Sequence, residues 1–408
     1  MANRFSFVGK IVPCKVTDSF KPYSVTTFDS GWAKTSIKFN VVCDTNRHLL
    51  ESCCLTPADI KTATIYTYVK SADNDTGKSE GENIQVSYAD RTKPEIVAQV
   101  PYYKKFIVDT EIPERRKELS NAVDKFKEGS ITDEEIAKLG VKSLEECKAA
   151  LEKSKKKRHE FIWEYDFVEY LNKFVNNDAI KDMKFHIKGE YALEYSDKEK
   201  KWYRHLKPTA IYRCKEDESA ESTVDFTVVF DKNAIDNSDV EETGKIHVNC
   251  WTPQYLGKPY KGNRYAPMVF TINSNKEDEK SVKLANRIAE RFQFPDDYEG
   301  EYREYGIKVN LIDGAPIVEL TMDNISDDQR LDIEAGLYTL EMLKNKMSKP
   351  VYGEKVQDLV IVGLNPNYDG SKETTLTADD VTVVRCELTP VETKPELPFE
   401  EDDDDDII

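Results

Sequence analysis

The sequence predicts a mainly β protein with helical insertions, built as two related β-rich units and ending in a disordered acidic tail. Three observations predict it. Short alternating apolar runs recur through most of the chain, charge-rich helix-prone stretches interrupt them, and few core-forming side chains remain beyond about residue 390. At 408 residues the chain is long enough for two or three domains, each burying its own core.

In the first hundred residues RFSFVGKIV, TSIKFNVV, HLLESCCL, TATIYTYVK and EIVAQV read as strands of a strongly curved sheet or barrel. From about Glu111 to Arg158 the chain becomes charge-rich and helix-prone. Within it SITDEEIAKLG offers Ser130 or Thr132 as an N-cap and Gly140 as a stop. The next helix is EFIWEYDFVEYLNKFV, where Ile162, Tyr165, Val168 or Tyr170, Leu171 and Val175 form an apolar face. Two strands follow, MKFHIKGEYALEY and KWYRHLKPTAIYRC, about the polar turn SDKEKK.

A similar order recurs downstream. DFTVVF, KIHVNCW and PMVFTIN read as strands, EKSVKLANRIAERF as an amphipathic helix, and YGIKVNLIDG, PIVELTMDN and LVIVGLNP as strands again. A helical stretch, DDQRLDIEAGLYTLEMLKNKM, is embedded in this second unit. The units join near Lys215 to Ser222. The expected domains are therefore 1–215, with a helical insertion at about 111–158, then 216–390, then the tail at 391–408.

Composition excludes several classes of function. No apolar run approaches the roughly 20 residues that span a bilayer, and MANRFSFVGK has no signal-peptide pattern, so a soluble, cytoplasmic protein is expected. Eight scattered cysteines fit reduced thiols. The cluster Cys43, His48, Cys53 and Cys54 matches no common zinc spacing, and no metal or cofactor is expected. Phosphate-loop, nucleophile-elbow and HExxH motifs are missing, and five scattered histidines offer few general bases, so the expectation is a non-catalytic protein. The net charge of −18 is uneven: nine acids and one lysine lie from Glu392 onward, whereas residues 1–108 carry +3. Such a balance leaves room for a polyanionic partner on one basic face.

Single-strand binders need planar side chains for base stacking and cations for phosphates. Four stretches interleave the two. FKPYSVTTFDSGWAKTSIKF supplies Tyr23, Trp32, Lys34 and Lys38, and PYYKKF supplies Tyr102, Tyr103, Lys104 and Lys105. KKWYRHLKPTAIYR supplies Trp202, Tyr203, Arg204 and Lys207. WTPQYLGKPYKGNRYAP supplies Trp251, Tyr255, Lys258, Tyr260, Lys261, Arg264 and Tyr265, and its glycines and prolines predict an exposed loop. Part of these rings are expected to be strand core instead. The run KSKKKRHE, residues 153–160, reads as a solvated helix face or a phosphate contact.

The opening NRFSFVGKIV, with Asn3, Arg4 and Gly9, resembles the first strand of the single-stranded DNA-binding protein family, bacteriophage type. The stretch FVEYLNKFVNNDAIKDMKFHIKGEYALEYSDKEKKWYRHLKPTAIY is similar to that family's helix, glycine-bearing strand, polar hairpin and returning strand, with Gly189 at the glycine step. The resemblance covers about residues 1–215. It implies oligonucleotide-binding (OB) folds, hence two OB-fold-like β-barrels, and a protein that coats single-stranded DNA during replication, recombination or repair. It also implies that the acidic tail recruits replication or recombination proteins. Asp402, Asp403, Asp404, Asp405 and Asp406 match the acidic run, and Ile407 and Ile408 the apolar tip. For a phage-encoded chain the expected location is the host cell cytoplasm. The rival expectation is a non-catalytic phage interaction or structural component with a solubilising tail.

Overall fold

A computed structural model of the chain describes residues 3–70, 81–196, 198–256, 262–315, 317–318, 320–322, 325–346, 351–352, 355–365 and 370–382. The first alternating run folds as β1 (Arg4–Pro13), burying Phe5 and Phe7 while Arg4 and Lys10 face solvent. It is followed by β2 (Tyr23–Thr27), β3 (Trp32–Cys43) and β4 (Asn46–Pro57), paired in sequence order. A separate hairpin contains β5 (Thr64–Lys70) and β6 (Gly81–Ser87).

EIVAQV, expected as a strand, is instead part of helix α1 (Pro94–Gln99). Pro94 starts the first turn, where a missing N–H is harmless, and Ile96 and Val97 pack against the cluster of Ile65, Val69 and Val86. Then come β7 (Phe106–Asp109), the helical insertion α2 (Pro113–Glu128), α3 (Asp133–Leu139) and α4 (Leu144–Lys155), and β8 (Arg158–Phe161). β7 and β8 pair antiparallel, so the insertion leaves and re-enters at one place. Thr132 caps α3: its hydroxyl accepts from the Glu135 N–H, and the Glu135 carboxylate accepts from the Thr132 N–H. The insertion has its own core of Leu119, Ala122, Val123, Val141, Cys147 and Leu151.

Helix α5 (Glu164–Val175) buries Phe167, Val168, Leu171, Phe174 and Val175. This stripe is rotated from the expected one, since two phenylalanines take the inner positions and leave Tyr165 and Tyr170 at the margin. The hairpin β9 (Lys184–Ser196) and β10 (Lys201–Arg213) follows.

The second half runs β11 (Glu221–Phe230), β12 (Ile235–Asp236), α6 (Val240–Thr243), β13 (Lys245–Leu256), β14 (Gly262–Asn273), α7 (Glu279–Ala289) and β15 (Arg303–Gly314). It continues through β16 (Ile317–Val318), α8 (Asp327–Glu334), α9 (Leu340–Lys346), β17 (Val351–Tyr352), β18 (Val356–Leu364), β19 (Lys372–Glu373) and α10 (Ala378–Thr382). The single helix expected over DDQRLDIEAGLYTLEMLKNKM is two, broken where Gly336 takes φ +75°. Of PIVELTMDN, only Ile317–Val318 is strand among the described residues.

β1 organises the sheet. One edge pairs with β9, and the other is shared between β11 and β3. The crowding demands glycine: a Cβ on Gly9 would lie 2.3 Å from the Val42 carbonyl oxygen, and one on Gly189 2.1 Å from that of Lys207. In the second half the pairings β11–β13, β13–β14, β14–β18, β18–β15 and β15–β11 form a circuit. In the first half β1–β3, β3–β4, β9–β10 and β1–β9 are paired, but no backbone pairing joins β4 to β10 among the described residues.

The molecule is therefore mainly β with helices, and strands from both halves belong to one hydrogen-bonded sheet. The expected boundary at 215 falls in the β10–β11 connection, yet Phe5 and Phe7 share one apolar cluster with Val224 and Phe226. The expected tail, 391–408, lies outside the described residues.

Candidate nucleic-acid interface

Alternation along β3 sends Thr35, Ile37, Phe39 and Val41 inward and leaves Trp32, Lys34 and Lys38 on the outer face. Across the ladder, Trp32 stands opposite Pro57, Lys34 opposite Leu55, Ser36 opposite Cys53 and Lys38 opposite Glu51. Trp32 is 48% exposed, Leu55 62% and Leu49 46%. The result is a strip of flat and apolar surface flanked by two lysines.

β10 extends the strip. Leu206 points inward, so Tyr203, His205 and Lys207 share the outer side. An irregularity between Pro208 and Ala210 resets the alternation, burying Ile211 and bringing Tyr212 to the outer side. The Tyr212 hydroxyl is hydrogen-bonded to that of Tyr102. Tyr102 and Tyr103 both expose their rings, and Lys104 beside them is exposed.

The two parts of the strip meet through Glu51. Its carboxylate lies 3.5 Å from Lys38 Nζ and 3.5 Å from His205 Nδ1, which ties β4 to β10 without a backbone ladder. His205 beside it, followed by Lys38 and Lys34, holds the Glu51 carboxyl below its ordinary range despite burial. Burial raises the Cys53 thiol, and nearby Lys34 and Lys207 oppose that shift. Lys34 and Lys38 of β3 and Lys207 of β10 thus lie on the same outer face, interspersed with the carboxylates of Glu51, of Glu164 and of Glu190, which stands opposite Lys207.

Other expected residues lie elsewhere. Tyr23 donates to Glu169 Oε1 of α5 at 2.5 Å, and burial and that carboxylate push its hydroxyl pKa up, so its ring is tied to the helix. Lys105 is paired with Glu160 at 2.7 Å, its side chain 9% exposed. Trp202 packs against Tyr195, and Arg264 lies over both rings at 5.2 and 4.0 Å from their centroids. Arg204 pairs with Asp313 of β15 at 2.7 Å. These two arginines therefore join the β9–β10 hairpin to the second half.

The stretch expected as an exposed loop is mostly ladder. Trp251 and Tyr255 lie on β13, Arg264 and Tyr265 on β14, and the two strands pair from Lys245↔Asn273 to Leu256↔Gly262. Arg264 is 2% exposed, which corrects the expectation of a phosphate contact there. Trp251 and Tyr265 pack against Val229, Tyr302 and Val381, so they are wall rather than platform. Tyr255 remains exposed, and Lys258, Tyr260 and Lys261 lie outside the described residues, as do Asp402 to Ile408. In the basic run, Lys155 pairs with Glu152, Lys157 with Glu111 and Arg158 with Glu160.

Leu49, Leu55 and Tyr212 join the face although they were not expected there. Continuing the outward alternation from Cys53 along HLLESCCL would have marked both leucines, whereas Tyr212 depends on a register shift no local pattern announces.

No protein-family model and no curated protein matches the chain. Among solved structures, the chain is similar to the wild-type single-stranded DNA-binding protein from Thermus aquaticus and to a deletion mutant of it. The wild type gives a TM-score of 0.25 at 6% identity over 76% of this chain and 85% of that one. The deletion mutant gives 0.26 at 8% identity over 76% and 86%.

Proposed function

We propose that this chain binds single-stranded DNA, without catalysis, on the outer face of β3, β4 and β10, and coats it during replication, recombination or repair. The observation that supports this reading is the placement of Trp32, Lys34, Lys38, Tyr203 and Lys207 on the outer sides of β3 and β10, with the exposed Tyr102 joined to β10 through Tyr212. Bases stack on exposed rings for about 1–3 kcal/mol each, and lysines beside them neutralise the connecting phosphates. In this reading each half is an OB-like unit, the first binding through its open face and the second carrying the exposed Tyr255 at its hairpin. The acidic tail recruits replication or recombination partners, and the protein works in the cytoplasm, that of the host if a phage encodes it.

Leu49 and Leu55 on the same face favour a second reading, a protein-binding surface in a structural component. A fluorescence titration with labelled oligothymidylate, repeated with RNA and duplex DNA, separates the two. The DNA reading expects single strands to bind more tightly than duplex. Folded protein that leaves the oligonucleotide free at low salt would sink it.

A further inference from the structure

Between α7 and the β15–β18 pair runs a groove of about 240 Å³, on different strands from the proposed DNA face. Leu284, Arg287, Ile288 and Arg291 line its helix side, and Val362 and Leu364 its strand side. Leu284 is 60% exposed and Val362 47%, so apolar side chains that could be covered are left to water. Arg287 and Arg291 are exposed on the rim, and among the described residues neither forms an ion pair.

A surface of the opposite charge lies on α8 and α9, none of whose described residues lines the groove. Leu331 is 63% exposed and Leu337 65%. The exposed Asp327, Asp328 and Glu334 lie a helical turn to either side of Leu331, so three carboxylates surround that leucine on the helix surface. At the end of α8 the Gly336 N–H donates to the Ile333 carbonyl and the Leu337 N–H to that of Asp332. A helix end of this kind ordinarily turns the residue after the glycine, here Leu337, back towards the last turn that carries Leu331.

We propose that the α8–α9 surface of one copy docks in the α7/β15–β18 groove of a second copy. Leu331 and Leu337 then cover Leu284, Val362 and Leu364, while the carboxylates around Leu331 meet Arg287 and Arg291. Charge decides the pairing: groove against groove would set arginines on arginines, and α8 against α8 carboxylates on carboxylates. The contact is therefore between unlike surfaces. Each copy added leaves one groove and one α8–α9 surface free, so association runs head to tail. It needs no nucleic acid.

Sedimentation of the full chain without DNA tests this. Between about 1 and 100 μM in low salt the average mass should climb past that of a dimer, and it should fall back as salt is raised. Arg287→Glu with Arg291→Glu, or Leu284→Ser alone, blocks the groove, and Leu331→Ser with Leu337→Ser blocks the other surface. Each change should weaken association by roughly tenfold or more at unchanged melting temperature, since these side chains are exposed. A groove-blocked chain mixed with a chain blocked on α8–α9 should form a dimer and stop there, because one supplies the intact helical surface and the other the intact groove. A native chain that stays monomeric across this range overturns the proposal. So does a mixture of the two blocked chains that stays monomeric, or association that survives both sets of substitutions. A closed dimer still formed by the Leu331→Ser, Leu337→Ser chain would mean groove against groove and overturns it as well.

Discussion

Trp32 and Trp251 both sit on the outer side of a hairpin, and their neighbours give them different tasks. Trp32 faces solvent beside Lys34 and Leu55, whereas Trp251 meets Tyr302 edge-on at 5.6 Å. Trp32→Ala and Tyr102→Ala should each weaken oligothymidylate binding by about 1–3 kcal/mol and leave the unfolding transition in place. Trp251→Ala should instead lower stability by on the order of 3 kcal/mol in urea denaturation, the scale of deleting a packed ring. His48 gives a pH-dependent prediction. It is buried against Phe7, and its Nε2–H donates to Ser222 Oγ at 2.7 Å, because the Ser222 hydroxyl donates onward to the Leu311 carbonyl. That leaves Nδ1 a buried acceptor without a partner, and burial, with a smaller contribution from Arg204, lowers the pKa from 6.5 to about 4. The unfolded chain takes up this proton near 6.5 and the folded chain only near 4. The His48 contribution is therefore complete above 6.5 and shrinks as pH falls through that window, by roughly 3 kcal/mol in all. Urea midpoints between pH 7 and 4.5 should fall more steeply for the native chain than for His48→Gln, and parallel slopes would contradict this assignment.

Elements show which parts of a fold local pattern can reveal. The strands β1, β3, β4, β9 and β10 were legible because alternation with one buried face leaves a period of two, as in Phe5 and Phe7 or Ile37, Phe39 and Val41, and β11 because Phe226 to Phe230 form a short apolar run buried on both faces. EIVAQV was not, since its apolar residues are consecutive and carry no period, and Pro94 with tertiary contacts decided for helix. In the same way the outer face of β3 was visible in Trp32, Lys34 and Lys38. The wall role of Trp251 and Tyr265 was hidden, because Leu376 and Val381, which pack with them, lie more than a hundred residues further along the chain. The helical insertion contributes an ion pair that ties it to the sheet. Asp109 of β7 is fully buried and accepts from Arg116 of α2 at 2.5 and 2.8 Å. Arg116→Ala would strand that carboxylate without its cation and should destabilise the protein by about 3–5 kcal/mol, whereas Asp109→Asn with Arg116→Ala should recover part of the loss. Equal melting temperatures for the single and double variants would show that the buried charge is not the cause.

Charge separates the whole molecule into a basic strip and an acidic tail. If the proposed DNA face is right, the nine acids from Glu392 onward would compete with DNA for Lys34, Lys38 and Lys207, by the effective-concentration reasoning that applies to linked ligands. Removing residues 391–408 should strengthen oligonucleotide binding at low salt, and the gain should fade as the screening length drops to ~10 Å near 0.1 M salt. If truncated and full-length chains bind alike in low salt, the tail does not compete. The proposed DNA face is tested most directly by the salt dependence of oligothymidylate affinity, read by fluorescence anisotropy on the native chain and on Lys34→Gln, Lys38→Gln, Lys207→Gln together. Each phosphate contact contributes about −0.7 to the log–log slope, so the triple variant should be flatter by about two units while melting at the native temperature. A slope unchanged by the three substitutions would place the strand elsewhere on the molecule and contradict the account.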